Sequence, residues 1–132
     1  MKLLLTLAAA LSTVVSASAA MATSYTGNWP FTVTDSKGFN GNHCLAVTDD
    51  GSFGWPHSGF GTLDGTYFTT FQVIGHTVQV AVQFPGGSGQ NAGTVISAPA
   101  RNGSFGSGVF TEIYGGESVD SGKLAFGTKG GC

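Results

Sequence analysis

The residues best suited to contact a ligand lie in one short segment, from Phe53 to Phe60. Trp55, His57 and Phe60 stand there among glycines, and Pro56 restricts the backbone between them. Aromatic rings beside hydrogen-bond donors suit sugars, flat ring systems or a protein surface, and a proline lowers the entropy lost when a loop becomes ordered. We therefore identify Trp55, His57 and Phe60 as candidate ligand-binding residues, with Trp55 as the principal contact. The alternative is that Phe53, Trp55 and Phe60 fill one end of the core.

The other chemistry-bearing residues match no catalytic or metal-binding pattern. His43, His57 and His76 are not spaced as metal ligands, and a turn or a surface hydrogen bond explains each of them better. Residues 86–90 fail the Gly-x-Ser-x-Gly elbow at its last position. A carboxylate pair for glycoside hydrolysis stays open, because strands bring distant residues together. The sequence thus predicts no catalytic residue, no metal and no cofactor.

Residues 1–22 predict export. A basic start is followed by an uncharged apolar run and by two small-x-small cleavage patterns, which end at Ala19 and Ala22. These are the three parts of a secretory signal peptide. We expect a signal peptide over 1–19, or cleavage as late as residue 22, and a single domain over 20–132. The mature protein is then secreted, or periplasmic in a Gram-negative cell.

The charge balance restricts the class of partner. After cleavage at residue 19 the chain keeps four basic and seven acidic residues, and its net charge is therefore −3. Without a basic patch, neither nucleic acid nor an anionic membrane surface is expected as a partner. The apolar run is too short to be a transmembrane helix, so we expect no membrane span in the mature chain. The expected partner is a small molecule or a protein, and nothing in the sequence indicates an oligomeric state.

Composition and alternation together predict an all-β fold. Charged residues make up only 9% of the chain, whereas 22 glycines and 10 phenylalanines supply turns and core. The clearest hairpin joins Tyr67–Ile74 to Thr77–Phe84 through Gly75-His76, and Asn102-Gly103 is a strong type I′ turn pair. We expect about eight short antiparallel strands in an up-and-down meander that closes into a small barrel. A β-sandwich is the alternative.

Strict alternation along each strand predicts which side chains face inwards. We treat Phe105–Tyr114 as one strand, with Val109 inward and Glu112 on the opposite face, towards solvent or a polar lumen. Asp35–Asn42 and Pro85–Gly93 are expected to be loops. The predicted inward residues are Phe31, Val33, Leu45, Val47, Phe71, Val73, Val78, Val80, Val82, Val109, Leu124 and Phe126.

The two cysteines are expected to form a disulfide. Cys44 adjoins the second predicted strand, and Cys132 ends a glycine-rich tail. Export favours pairing, and a closed meander brings its first and last strands together. Closure would therefore place the tail within reach of Cys44.

Three functions are compatible with this sequence. The first is a non-enzymatic exported binding module for a small molecule or a partner surface, which an aromatic-lined cavity would favour. The second is a hydrolase or isomerase built on a barrel, which converging carboxylates, or a histidine with a carboxylate, would favour. The third is a structural or envelope-associated protein, which a long uncovered edge strand would favour.

Overall fold

A computed structural model describes residues 23–85 and 92–132, and the predicted signal peptide lies outside these ranges. Within them the chain forms nine strands. The strands are β1 Gly27–Asp35, β2 Asn40–Val47, β3 Ser58–Leu63, β4 Tyr67–Ile74, β5 Thr77–Phe84, β6 Ala92–Arg101, β7 Ser104–Phe105, β8 Ser107–Tyr114 and β9 Glu117–Phe126. The described part of the chain contains no helix long and apolar enough to cross a membrane.

The sheet closes on itself as an up-and-down barrel, as predicted. Each long strand pairs antiparallel with the next long strand along the chain, and β9 returns to pair with β1, where Val33 lies opposite Leu124. The two-residue strand β7 adds a short pairing to the end of β6. Eight strands therefore form one closed antiparallel barrel, and the sandwich alternative is wrong.

The predicted turn chemistry sets the connections. Gly75 has φ +62°, the left-handed conformation that lets the chain reverse between β4 and β5. Asn102 and Gly103 have φ +50° and +75°, as a type I′ turn requires. The β4–β5 hairpin has the predicted bounds. The predicted loop Asp35–Asn42 is shorter than expected, because Asn40–Asn42 pair with β1. The predicted loop Pro85–Gly93 ends earlier than expected, because β6 begins at Ala92. Residues 86–91 of that loop lie outside the described ranges.

The inward residues form one continuous core, largely as predicted. Val33 and Phe126 pack against it while remaining partly exposed. Tyr25, Trp29 and Phe105, which the inward prediction did not include, are also buried. The predicted residues that are buried are Phe31, Leu45, Val47, Phe71, Val73, Val78, Val80, Val82 and Leu124.

Val109 was predicted to face inwards, and this is wrong. Its side chain is 55% exposed, whereas Phe105 and Phe110 are both buried. An unbroken strand cannot bury residues five apart, because its side chains alternate. The register shifts by one residue around Gly106, since Ala100 lies opposite Phe105 but Ser97 lies opposite Val109. This irregularity moves every later residue of β8 to the other face.

The tail is covalently tied to β2. Cys44 and Cys132, which are 88 positions apart in sequence, form a disulfide with their α-carbons 6.0 Å apart. In the chain-entropy account, cross-linking a loop of this length stabilises the fold by about 4–5 kcal/mol. The tail also carries Lys129, whose Nζ lies 5.8 Å from the centre of the Trp29 ring and donates to the Ser24 carbonyl.

Aspartate substitutions at Val80 and Val109 test the inside and outside of the barrel. Val80 is fully buried, so Val80→Asp places a carboxylate without a partner in the core and should destabilise the protein by several kcal/mol. Val109→Asp places the same group on the exposed face and should change the unfolding free energy by less than about 0.5 kcal/mol. Urea unfolding of both variants measures the difference. Equal destabilisation would contradict the register of β8.

Candidate functional site

Aromatic side chains fill one end of the barrel, which we call the base. The Phe105 ring stacks on Tyr25 at a centroid distance of 5.0 Å and lies 4.4 Å from Trp29. The Trp29 indole N–H donates to the Tyr25 carbonyl at 2.9 Å, which satisfies the polar group of a buried ring. Tyr25, which lies just before β1, therefore closes the base together with Trp29 of β1 and Phe105 of β7.

The opposite end contains a cavity of about 330 Å³, which we call the mouth cavity. Phe31, Ile96 and Phe110 supply its apolar floor. Its other lining includes Leu63, Phe84, His43 and the three carboxylates Asp35, Glu112 and Asp120. The barrel thus holds an apolar pocket below a polar, acidic rim.

Strand pairing positions two of the carboxylates. Glu112 of β8 lies directly opposite Asp120 of β9, and both side chains line the mouth cavity. Val119 is an extra residue in β9 at this point, because Ile113 pairs with Ser118. Bulges of this kind re-aim side chains at barrel rims. The sequence left the Glu112 side chain facing either solvent or a polar lumen, and in the structure it faces the lumen.

Asp120 and Asp35 are held by the loop that joins β1 to β2. The Ser36 hydroxyl donates to Asp120 Oδ1 at 2.8 Å, and the backbone N–H of Ser121 donates to the same oxygen. These two bonds, the Ser36 bond first, lower the pKa of Asp120 below its ordinary value. Asp35 accepts from the N–H groups of Lys37 and Phe39. The hydrogen bonds to Asp120 therefore stabilise its ionised form.

A histidine and an aspartate meet beside the mouth cavity. His43 Nδ1 lies 2.7 Å from Asp64 Oδ2, and the Cys44 N–H donates to Asp64 Oδ1. Asp64 has φ +53° and Gly65 has φ +69°, which is the geometry of a type I′ turn. The positive φ of Asp64 is therefore a requirement of the hairpin and not a sign of functional strain. Sequence reasoning missed this pair, although Asp64-Gly65 is a recognisable hairpin signal between two strands.

The predicted ligand-binding residues lie in and after the β2–β3 loop at the base. Trp55 is 44% exposed and Phe60 is 45% exposed, so the interpretation of Phe53, Trp55 and Phe60 as a core end is wrong. Phe60 contacts Phe53 and Phe68, with ring centroids 4.9 and 5.6 Å apart. We call the exposed row Phe53, Phe60 and Phe68 the aromatic strip. The structure places it on the outer wall, away from the lining of the mouth cavity.

His57 has a different environment from its two aromatic neighbours. Its Nδ1 lies 2.8 Å from Oδ2 of Asp49, whose side chain is 3% exposed, and its ring meets the Tyr25 ring edge-on at 5.1 Å. The Tyr25 N–H donates to the same carboxylate oxygen. Asp49 Oδ1 is buried and has no hydrogen-bond partner within the described residues. His57 and Asp49 thus fasten the segment that plugs the base.

Within residues 23–85 and 92–132, no group of three or more histidine, cysteine or acidic side chains is arranged to hold a metal ion. No family model, curated protein or solved structure matches this chain.

Removing the Ser36 hydroxyl tests how the rim holds Asp120. Ser36→Ala should raise the pKa of Asp120 towards its ordinary value, because the first cause of its lowering is lost. A lowered folded-state pKa stabilises the fold at neutral pH, and that contribution disappears as the pH falls through it. Titration of the Asp120 carboxyl carbon by NMR measures the pKa.

Ser121→Ala is the matched control, since Ser121 donates through its backbone N–H, which the substitution keeps. An Asp120 pKa that is the same in Ser36→Ala and the unsubstituted protein would show that the Ser36 bond does not form in solution.

Proposed function

We propose that this protein is an exported, non-enzymatic binding module that holds a small molecule in the mouth cavity. The observation that carries the proposal is the cavity itself, an apolar floor of Phe31, Ile96 and Phe110 enclosed by a closed barrel and open at one end. Barrel mouths are recurrent ligand sites because the strands hold their lining rigidly while the interior stays accessible. The disulfide supports export, since such bonds persist in oxidising compartments.

The size and lining of the cavity indicate the kind of ligand. About 330 Å³ lies at the lower end of the range for small-molecule pockets, so the ligand is compact. The floor offers apolar contact and the rim offers carboxylates and the His43 ring, which orient a polar end towards the opening. An anion is disfavoured by the acidic rim.

The converging carboxylates also meet the condition under which the sequence favoured a hydrolase, and we nevertheless propose binding. Glycoside cleavage needs one carboxyl group protonated as a general acid. The Ser36 hydrogen bond lowers the pKa of Asp120, which makes Asp120 a poor general acid, and no hydrogen-bond partner among the described residues orients Glu112 for that role. The third function, assembly through an edge, loses its expected support because the long strands pair on both sides.

Filling the mouth cavity tests the proposal. Thr94 lines it, so Thr94→Trp should lower the affinity for the neutral fluorophore N-phenyl-1-naphthylamine about tenfold or more, because the indole would occupy the ligand volume. The dye's fluorescence rises on entering an apolar site, and titration gives the dissociation constant.

Val95→Trp is the control, because Val95 is the next residue of β6 and faces outwards. It should bind the dye as the unsubstituted protein does. Saturable binding that survives Thr94→Trp unchanged, or the absence of saturable binding by the unsubstituted protein, would refute a ligand site in the mouth cavity.

A second candidate function, attachment to a neutral glycan, is supported by the exposed aromatic residues. Trp55 and the aromatic strip are solvent-exposed, and a small groove beside Phe53 is lined by Thr70, Gln72 and Gln79. Aromatic faces with amide and hydroxyl groups beside them suit a sugar ring. In this proposal Trp55 is the principal contact and Phe60 supports it, whereas His57 contributes by ordering the loop through Asp49.

Trp55→Ala tests the aromatic site. The variant should lose its retardation in affinity electrophoresis through gels containing neutral soluble polysaccharides, while its circular dichroism and melting temperature stay nearly unchanged, because Trp55 is 44% exposed. Tyr114→Ala is the matched control, since Tyr114 is 49% exposed at the opposite end. If Trp55→Ala unfolds the protein, Trp55 is a core residue and the site hypothesis is lost.

A further inference from the structure

The mouth cavity brings carboxylates of two neighbouring strands together. Glu112 and Asp120 are cross-strand partners on the inner face of β8 and β9. Like charges directly opposite each other in a sheet are destabilising. A third carboxylate, Asp35, lines the same cavity. The barrel therefore concentrates negative charge at its open end.

Among the three carboxylates of the mouth cavity, Glu112 is the one without a hydrogen-bond partner in the described residues. Asp120 has Ser36, and Asp35 has the N–H groups of its own loop. Glu112 is half-buried yet forms no hydrogen bond or ion pair with any described residue. The charge of Lys37 contributes, after the Ser36 and Ser121 hydrogen bonds, to the lowered pKa of Asp120, but Lys37 does not line the cavity. No described cation within the cavity neutralises Glu112.

The floor beneath these carboxylates is apolar and partly aromatic. Phe31 and Phe110 lie under the rim, with Phe39 and Phe84 around it. Aromatic faces attract organic cations, and an apolar floor rewards a ligand with a hydrocarbon body. A hydrated metal ion would gain nothing from such a floor, and the described residues do not converge as metal ligands.

We infer that the mouth cavity selects a small organic cation with an apolar body, whose ammonium group is held by Glu112 and Asp120. This inference rests on the proposed function, because it names the ligand class of the same cavity. The cation supplies the donors that Glu112 lacks and relieves its repulsion with Asp120. In this proposal the facing carboxylates make the ligand-free protein less stable and the cation more tightly bound, a trade-off that is common at binding sites.

Three compounds with one apolar body test the charge preference. 2-Phenylethylamine is a cation at neutral pH, 2-phenylethanol is neutral and 3-phenylpropanoate is an anion. Displacement of N-phenyl-1-naphthylamine should show the amine binding at least about tenfold more tightly than the alcohol, because a charge-assisted bond replaces a neutral one. The anion should bind most weakly, and the preference for the amine should shrink as salt is added.

Glu112→Gln removes the charge with little change of shape. It should abolish the tenfold advantage of the amine, leave the affinity for the alcohol within about twofold, and raise the melting temperature of the ligand-free protein. Glu117→Gln is the matched control, because Glu117 is the only other glutamate and is exposed outside the cavity. It should change neither affinity nor melting. If Glu112→Gln does not fold, Asp120→Asn makes the same test.

The outcomes separate the two proposals. If the dye binds and Thr94→Trp blocks it, but the amine binds no better than the alcohol, the cation inference is overturned and the mouth site stands. An amine advantage that survives both Glu112→Gln and Asp120→Asn overturns the assignment of these carboxylates. If neither the dye nor any of the three compounds binds, the proposed function itself fails.

Discussion

The pairing of β9 with β1 is the constraint on which the rest of this structure depends. In a meander every other strand pair joins neighbours along the chain, whereas this pair brings together Phe31 and Phe126, 95 positions apart. Once it forms, every long strand has two partners and the alternation along each strand acquires an inside and an outside. The disulfide reinforces the same closure, because it ties the residues after β9 to β2. Closure also creates crowded points, and at Gly122 a β-carbon would collide with the Thr34 carbonyl oxygen, so only glycine fits there.

The two ends of the barrel differ, because side chains close the base whereas the mouth stays open. At the base, the segment before β1 folds across the opening, and Trp29, Tyr25 and Phe105 pack into it. Asp49 and His57 fasten that segment through hydrogen bonds from the adjoining loop. At the mouth, the inward positions are occupied by carboxylates and a histidine, which cannot pack as a dry core. Polar inward positions at one end, and a plug at the other, leave a pocket with a single opening.

The mouth also shows where the chain departs from the rules that stabilise a sheet. Favourable cross-strand pairs join opposite charges or two apolar side chains, and Glu112 opposite Asp120 does neither. The bulge at Val119 lies beside the same pair. Elsewhere in the described chain Asp64 accepts a hydrogen bond from the Cys44 N–H and lies against His43, whereas Asp49 keeps one buried oxygen without a partner. Departures from local consistency that cluster in one cavity are characteristic of functional sites.

Local chemistry in the sequence determined the class of fold, most strand positions, the reversals at Gly75 and Asn102-Gly103, and the disulfide partners. These features could be predicted because alternation and turn preference are properties of neighbouring residues, and because two cysteines allow one intramolecular pairing. The tertiary structure alone decided the side on which Val109 and Glu112 lie, since one irregular residue near Gly106 inverts all that follows and depends on the partner strand. It also decided which end of the barrel stays open. Which end stays open depends on where Tyr25 and Trp29 pack and on which distant carboxylates the strand register places opposite each other. Local residue spacing determines neither of these.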